Sequence, residues 1–485
     1  MLKIKTLFAL GKGISTFASI LLVSFLLLAC NNLTIGGGSL IISTPGARAV
    51  TGNGSYTFNL TGSKGASLSK TVSAGSTVQF HALAPDTYTI AVEGKDADGA
   101  VVLGGSSRAT VTAGETASAT VNLVEGVGDY DSLQKAVGNG GTVNILKSID
   151  VLRSLEVGNN VTIQAAYQDV TLKNTSSGNL FTVTNGNLTV GGGEHTITLD
   201  GNKVAQSIIS VSGGTATLAD NGIITNAAAS GIKISSSGTF EMTGGEISKN
   251  KESSTSNGGG GVTISGGTFN ITGGRIIDNT GSQSSGGVTV SGGTFNMTGG
   301  SITGNIGNFG GGVTISSGTF NMNGGTITGN KGSNGGAVFM DGGKFNMSGG
   351  IITGNTAEDT GGGIQLSGGT FILSGGYIDN NRASNGSGIY MFDGSFSMGG
   401  SAVINKNNDV FLSSGKMITI TETLTGATPV ATITPAVYEV RQILSFGTGN
   451  NFNLAEESTK FAVTPTDEGD WPISSGFLSQ VTNES

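Results

Sequence analysis

The stretch Val313-Thr-Ile-Ser-Ser-Gly-Thr-Phe-Asn-Met-Asn-Gly-Gly-Thr-Ile-Thr-Gly-Asn330 decides the fold. It holds three short alternating segments, Val313-Thr-Ile315, Thr319-Phe-Asn-Met322 and Thr326-Ile-Thr328, separated by Gly and Ser and closed by Asn. Alternation sends Val313, Ile315, Phe320, Met322 and Ile327 to one side and Thr314, Thr319, Asn321, Thr326 and Thr328 to the other. One such unit has no partner for its apolar side, so the question is whether it recurs.

It does. Its Phe returns as Phe240, Phe269, Phe295, Phe320, Phe345, Phe371 and Phe396, at intervals of 29, 26, 25, 25, 26 and 25 residues. Ten residues after each of the first six stands an Asn: Asn250, Asn279, Asn305, Asn330, Asn355 and Asn381. The last unit is one residue short and gives Asn405, while Ala216 with Asn226 extends the relation backwards and Leu188 marks a degenerate earlier unit. Counting from Thr142, ten to eleven units are expected. Three strands in about 25 residues leave no room for helices between them, so the chain must coil as a right-handed parallel β-helix. Stacked coils then place Phe on Phe and Ile on Ile at the ~4.7–4.9 Å strand spacing. The repeated Asn is expected to form an internal ladder, because it tolerates left-handed backbone and bonds to its copies above and below. A β-propeller would need blades of ~40–45 residues and is excluded by the period.

Composition agrees. Gly accounts for 85 of 485 residues and Pro for only 6, which excludes collagen, and 12% charged with 36% hydrophobic residues excludes a disordered polyelectrolyte. The formal charge is −8, with 24 basic and 32 acidic side chains, so there is no basic field for nucleic acid. With 2 His and 1 Cys, the usual catalytic material is scarce. No cofactor or metal is expected.

The chain is expected to be all-β, with a small β-sandwich preceding the coil. Segments Ser39–Ser43, Tyr56–Leu60, Thr77–Phe80, Tyr88–Val92 and Ala117–Leu123 alternate between Gly, Asp and Pro turns, which indicates a sandwich over residues 39–125. A helix is expected over 129–138, capped by Asp129 or Asp131 and ended by Gly138; at about two turns it must dock, and the open first coil is the place. The parallel β-helix is assigned to 139–425, and 426–485 to final irregular strands, a C-terminal cap and a tail.

At the N-terminus, Lys3, Lys5 and Lys12 precede an apolar run from Ile14 to Leu28, the pattern of a secretory signal over 1–29. The ending Leu27-Leu28-Ala29-Cys30 resembles the lipobox of bacterial lipoproteins, which implies acylation of Cys30, a lipidated tether over 30–38 and the lipid bilayer as partner. Cleavage removes three Lys and no acid and leaves a net charge of −11. Asn31, where an inner-membrane retention signal would carry Asp, implies the outer membrane. The segment Phe80-His-Ala-Leu-Ala-Pro-Asp-Thr-Tyr-Thr-Ile90 is similar to a stretch of prealbumin-like modules, with Asp86 where Gly is usual. The repeats of 129–425 resemble the right-handed parallel β-helix family, whose enzymes are similar to pectate lyases and polygalacturonases. Their Gly-Gly-Thr-Phe-Asn-Met form is similar to repeats of bacterial surface lipoproteins and adhesin-like proteins.

Enzymes on that fold imply clustered carboxylates. Six residues before each Phe stand Thr263, Thr289, Thr314, Phe339, Gln365 and Tyr390; six after stand Glu246, Arg275, Ser301, Thr326, Ile351 and Tyr377; eight after stand Ser248, Ile277, Thr303, Thr328, Thr353 and Asp379. No column carries two adjacent carboxylates. Among the early coils, His195, Asp200 and Lys203 are acid/base candidates, although the same stretch reads as a turn in which Asp satisfies backbone groups. The ring-bearing outward positions Phe339, Tyr377, Tyr390 and Phe392 are ligand-face candidates, since exposed rings on a rigid sheet stack on sugars or anchor a partner. The expected function is a lipid-anchored envelope protein acting as an adhesin or as a glycan-binding or structural protein, its partners polysaccharide or cell-surface molecules. The alternative is a polysaccharide lyase or glycoside hydrolase. A third class, ice or crystal binding through flat Thr columns such as Thr263, Thr289 and Thr314, requires an uninterrupted Thr array, and Phe339 and Gln365 break it.

Overall fold

The computed structural model describes residues 37–480 apart from 45–53, 74–76, 205, 253–257, 448–452 and 468. The expected secretory signal over 1–29, Cys30 and most of the expected tether lie outside the described residues. Two compact units divide between Val124 and Glu125.

In the first unit, Ser67–Ser73, Ser55–Gly62, Asp86–Lys95 and Val101–Val111 lie side by side in that order as antiparallel neighbours. A second sheet pairs Gly38–Ser43 antiparallel to Val78–Leu83 and parallel to Thr116–Thr120. Alternate residues of both, such as Leu40, Ile42, Phe58, Leu60, Ile90 and Val92, form one core. Ser67–Ser73 is exposed almost throughout, so it carries no alternation to betray it in the sequence. Asp86, standing where Gly is usual, closes the neighbouring hairpin by accepting from the Ser63 hydroxyl and from the backbone N–H of Lys64 at 3.1 Å. Those bonds, the Ser63 hydroxyl first, hold its carboxyl below the usual carboxylate range. Tyr88 donates to Ala84 O at 3.1 Å, four residues upstream, and so pins the same corner.

The second unit is a right-handed parallel β-helix of about 12 turns. Its three faces take their names here from one coil: the Val face (Val313–Ile315), the Phe face (Thr319–Met322) and the Ile face (Thr326–Thr328). Like stacks on like across coils, as in Val288↔Val313↔Val338, Phe295↔Phe320↔Phe345 and Ile302↔Ile327↔Ile352. All these inward side chains are fully buried in a core that runs from Leu133 to Leu478. From Phe269 to Phe396 the ring centroids are 4.5–5.1 Å apart with planes within 19°, a stack worth ~0.5–1.5 kcal/mol per pair beyond area. Phe240 tilts by 48° from Phe269 across the longest interval.

The helix Tyr130–Asn139 begins at Asp129, whose carboxylate accepts from Ser132 N–H at 2.9 Å, and it buries Leu133 and Val137 in the solenoid core. At the far end, Ala431–Pro435, Leu444–Phe446 and Phe461–Val463 continue the parallel ladder beyond residue 425.

The repeated asparagines are buried and joined head to tail: each Nδ2 donates to the Oδ1 of the next coil, Asn250 to Asn279, Asn305, Asn330, Asn355 and Asn381, at 2.9–3.0 Å. Each Oδ1 also accepts the backbone N–H of the Asn before it, as Asn330 does from Asn305 at 3.0 Å, and each Nδ2 also donates to an Ile carbonyl, here Ile302 at 2.9 Å. Two expected members do not join. Asn226 turns its amide to Asp200 at 3.1 Å, and Ala227 takes the ladder position by donating its N–H to Asn250 at 2.9 Å. At the other end the ladder finishes on Asn408, 3.0 Å from Asn381, whereas Asn405 donates to the Tyr377 hydroxyl.

Beyond the three strands per coil that the repeat predicts, the middle coils carry a fourth short ladder, through Lys251–Glu252, Thr280–Gly281, Ile306–Gly307, Lys331–Asn334 and Thr356–Thr360. Between the Phe and Ile faces the corner is closed by Gly pairs: a Cβ on Gly324 would stand 2.4 Å from Thr298 O of the coil before. No helix among the described residues is long and apolar enough to cross a membrane.

Candidate functional site

A groove of about 1090 Å³ runs along the outside of the Val face. Its floor follows the strand centres Ser210, Lys233, Thr263, Thr289, Thr314 and Phe339, which are register partners in that order. Five coil steps at ~4.7–4.9 Å make it ~24 Å long. A parallel row of Ser265, Ser291, Ser316 and Asp341 forms one side, and the segments that enter each Val strand form the other, with Ser207, Ser230, Ser284 and Phe309.

Those entering segments fold over the floor. Gly259 N–H donates to the Thr263 hydroxyl at 2.9 Å, Ser284 and Ser285 share bonds with Thr289 at 2.9 and 2.8 Å, and Gly310 N–H donates to Thr314 at 3.2 Å. Thr289 and Thr314 are consequently buried. The threonine column is therefore not the exposed array that ice or crystal binding requires. It is a braced floor whose hydroxyls are held in fixed orientation.

At the C-terminal end of the groove Phe309 and Phe339 stack at 5.0 Å, with Phe309 37% exposed. Lys233 and Asp341 are the charged residues among the lining. The site thus combines a polar hydroxyl floor, an aromatic platform at one end and one charge of each sign.

The other ring candidates divide between faces. Tyr390 lies on the Val face two register steps beyond Phe339, with Gln365 between them, and stacks on Phe411 at 4.9 Å. Gln365 is buried beneath Thr360, which donates to it at 2.5 Å, so the aromatic pairs are separated by a covered coil. Phe411, the partner of Tyr390, lines a smaller depression of about 490 Å³, with Thr432, Thr434 and Asp409. Tyr377 lies on the Ile face, 37% exposed, and Phe392 follows the Tyr390 strand, 60% exposed and next to the Asp393 and Lys416 ion pair. That Lys416 bond holds the Asp393 carboxyl below its usual range.

His195, Asp200 and Lys203 are not brought to one point. His195 bridges Ala165 before the strand Ile197–Asp200, and Asp200 ends that strand, five residues or ~16 Å along an extended chain. Asp200 accepts from Asn202 N–H at 2.8 Å as well as from Asn226, a turn-closing role. Lys203 lines a depression together with Asn226, the amide partner of Asp200, away from His195. Phe309, by contrast, was invisible to column reading because it sits in an entering segment outside the strand repeat. Comparison of the chain with family models, with characterised proteins and with solved structures finds no match in any of the three.

Proposed function

We propose that the protein is a lipid-anchored cell-envelope protein that binds glycan in the groove of the Val face, serving as a surface adhesin or glycan-binding protein. The observation that carries this reading is the composition of the groove: about ten Ser and Thr side chains along a rigid floor, ending on the Phe309 and Phe339 pair. Sugars present hydroxyls that exchange donors and acceptors with such a floor, and apolar ring faces that stack on aromatics. Binding rather than cleavage is favoured because Asp341 is the carboxylate among the lining residues, whereas glycoside hydrolysis uses a pair. Residues 1–30, with their positive start, apolar run and terminal Cys30, support export and anchoring, and Asn31 supports the outer membrane.

The test is a panel of soluble polysaccharides titrated against the full chain and against Phe309→Ala and Phe339→Ala. Micromolar binding to at least one polymer, weakened roughly 5- to 20-fold in each variant, is expected from the loss of ring stacking worth ~1–2 kcal/mol. Absence of binding across the panel, or the appearance of new reducing ends, contradicts it.

A further inference from the structure

Beside the groove lies a second depression, of about 540 Å³, lined by Lys203, Lys249, Lys251, Asn226, Asp278 and Thr280. Ala228 lines both cavities, so the two adjoin at one corner of the solenoid. We propose that this depression is an oxyanion subsite that holds the carboxylate or sulfate ester of an acidic glycan lying in the groove. The proposal rests on the glycan reading of that groove and adds its charge class.

Three observations carry it. First, the chain has only 24 basic residues against 32 acidic, yet three lysines line this depression against one lining carboxylate, Asp278, with the Asp200 carboxylate behind it committed to Asn226 and Asn202. Second, the three lysines are exposed and none forms an ion pair with a described residue, so their charges are uncommitted. Third, two of them break a local rule. Lys249 stands in the left-handed backbone region at φ 54°, at the corner where later coils carry Gly304, Gly329 and Gly354 at φ 63–66° or the short polar side chains of Asp278 and Asn380 at φ 54° and 50°. Lys203, at φ 59°, does the same two coils earlier, with Asn226 at φ 60° in the coil between. A long side chain in that conformation is disfavoured relative to Gly, and an exposed ammonium returns no packing for it. Ligand contact is the gain the position offers. Lys233 on the groove floor extends the same positive field toward the bound chain.

The experiment uses the full chain in detergent with three polymers that share one backbone: hydroxyethylcellulose, carboxymethylcellulose and cellulose sulfate, with duplex DNA as a fourth polyanion. At low salt the charged polymers are expected to bind at least tenfold tighter than the neutral one, whichever of carboxylate or sulfate is the better fit. Lys203→Gly with Lys249→Gly should cut that advantage to about threefold or less and leave neutral-polymer binding unchanged, while the thermal midpoint stays level or rises because Gly suits the backbone. Adding Lys251→Gln should leave no preference for charge. Equal affinity of wild type and variants for the charged polymers overturns the subsite and leaves the groove reading standing. Binding of DNA as tightly as of the acidic polysaccharides also overturns it, since the site would then read charge without sugar. Failure of wild type to bind any of the three cellulosics overturns the subsite, and with no binding across the polysaccharide panel it defeats the groove reading as well.

Discussion

At the scale of single residues, the buried asparagines set how coils join. Asn330 alone accepts two bonds from Asn305 and donates to Asn355 and to Ile302 O, so it has no unused polar capacity inside the core. Asn330→Ala leaves the Asn305 backbone N–H without its acceptor and takes one acceptor from the Asn305 amide, which keeps Ile276 O and Thr303 O, in a site that excludes water. The expected loss is ~2–4 kcal/mol, read as a lowered urea midpoint, and a change under ~1 kcal/mol contradicts the ladder's role. The ten-residue spacing from Phe made this ladder legible for six coils and then misled at both ends. One extra residue between Leu218 and Ile223, relative to Met242 and Glu246, carries Asn226 into the corner column of Lys249 and leaves Ala227 in the ladder. Extra residues between Met398 and Val403 and after Ile404 likewise displace Asn405 and bring Asn408 into place. A fixed offset cannot register an insertion inside a turn; only pairing does.

At the scale of elements, strands were readable wherever one side is buried and the other is not, because period-2 alternation is the imprint of that asymmetry. The segments that escaped are those without it. Ser67–Ser73 is wet on both sides, and the fourth ladder has two-residue members such as Ile306–Gly307. The segments entering the Val face are rich in Gly and Ser and were read as punctuation, yet they bury Thr289 and Thr314 and supply Phe309. The candidate site was therefore half legible. Phe339 stood out because it breaks a threonine column, and its partner Phe309 did not because no repeat position contains it. The separation of His195 from Asp200 follows from strand geometry once the strand is placed, whereas proximity in sequence had suggested a cluster.

At the scale of the molecule, parallel stacking makes stability a sum over neighbouring coils, each coil burying what its neighbours expose. Fold and function are accordingly separable: the inward columns are uniform, and what differs from coil to coil lies outside, in the groove, its aromatic end and the lysine corner. The anchoring proposal belongs to this scale too. Cys30→Ala is expected to abolish metabolic labelling with a fatty acid, and persistent labelling contradicts lipidation at that residue. The most direct test of the groove is a hydrogen–deuterium exchange footprint of the full chain with and without its tightest-binding polysaccharide. Protection is predicted in peptides covering 204–210, 228–233, 258–265, 283–291 and 309–316, and around Phe339 and Asp341. Protection confined to the Phe face, the Ile face or the first unit would contradict the account.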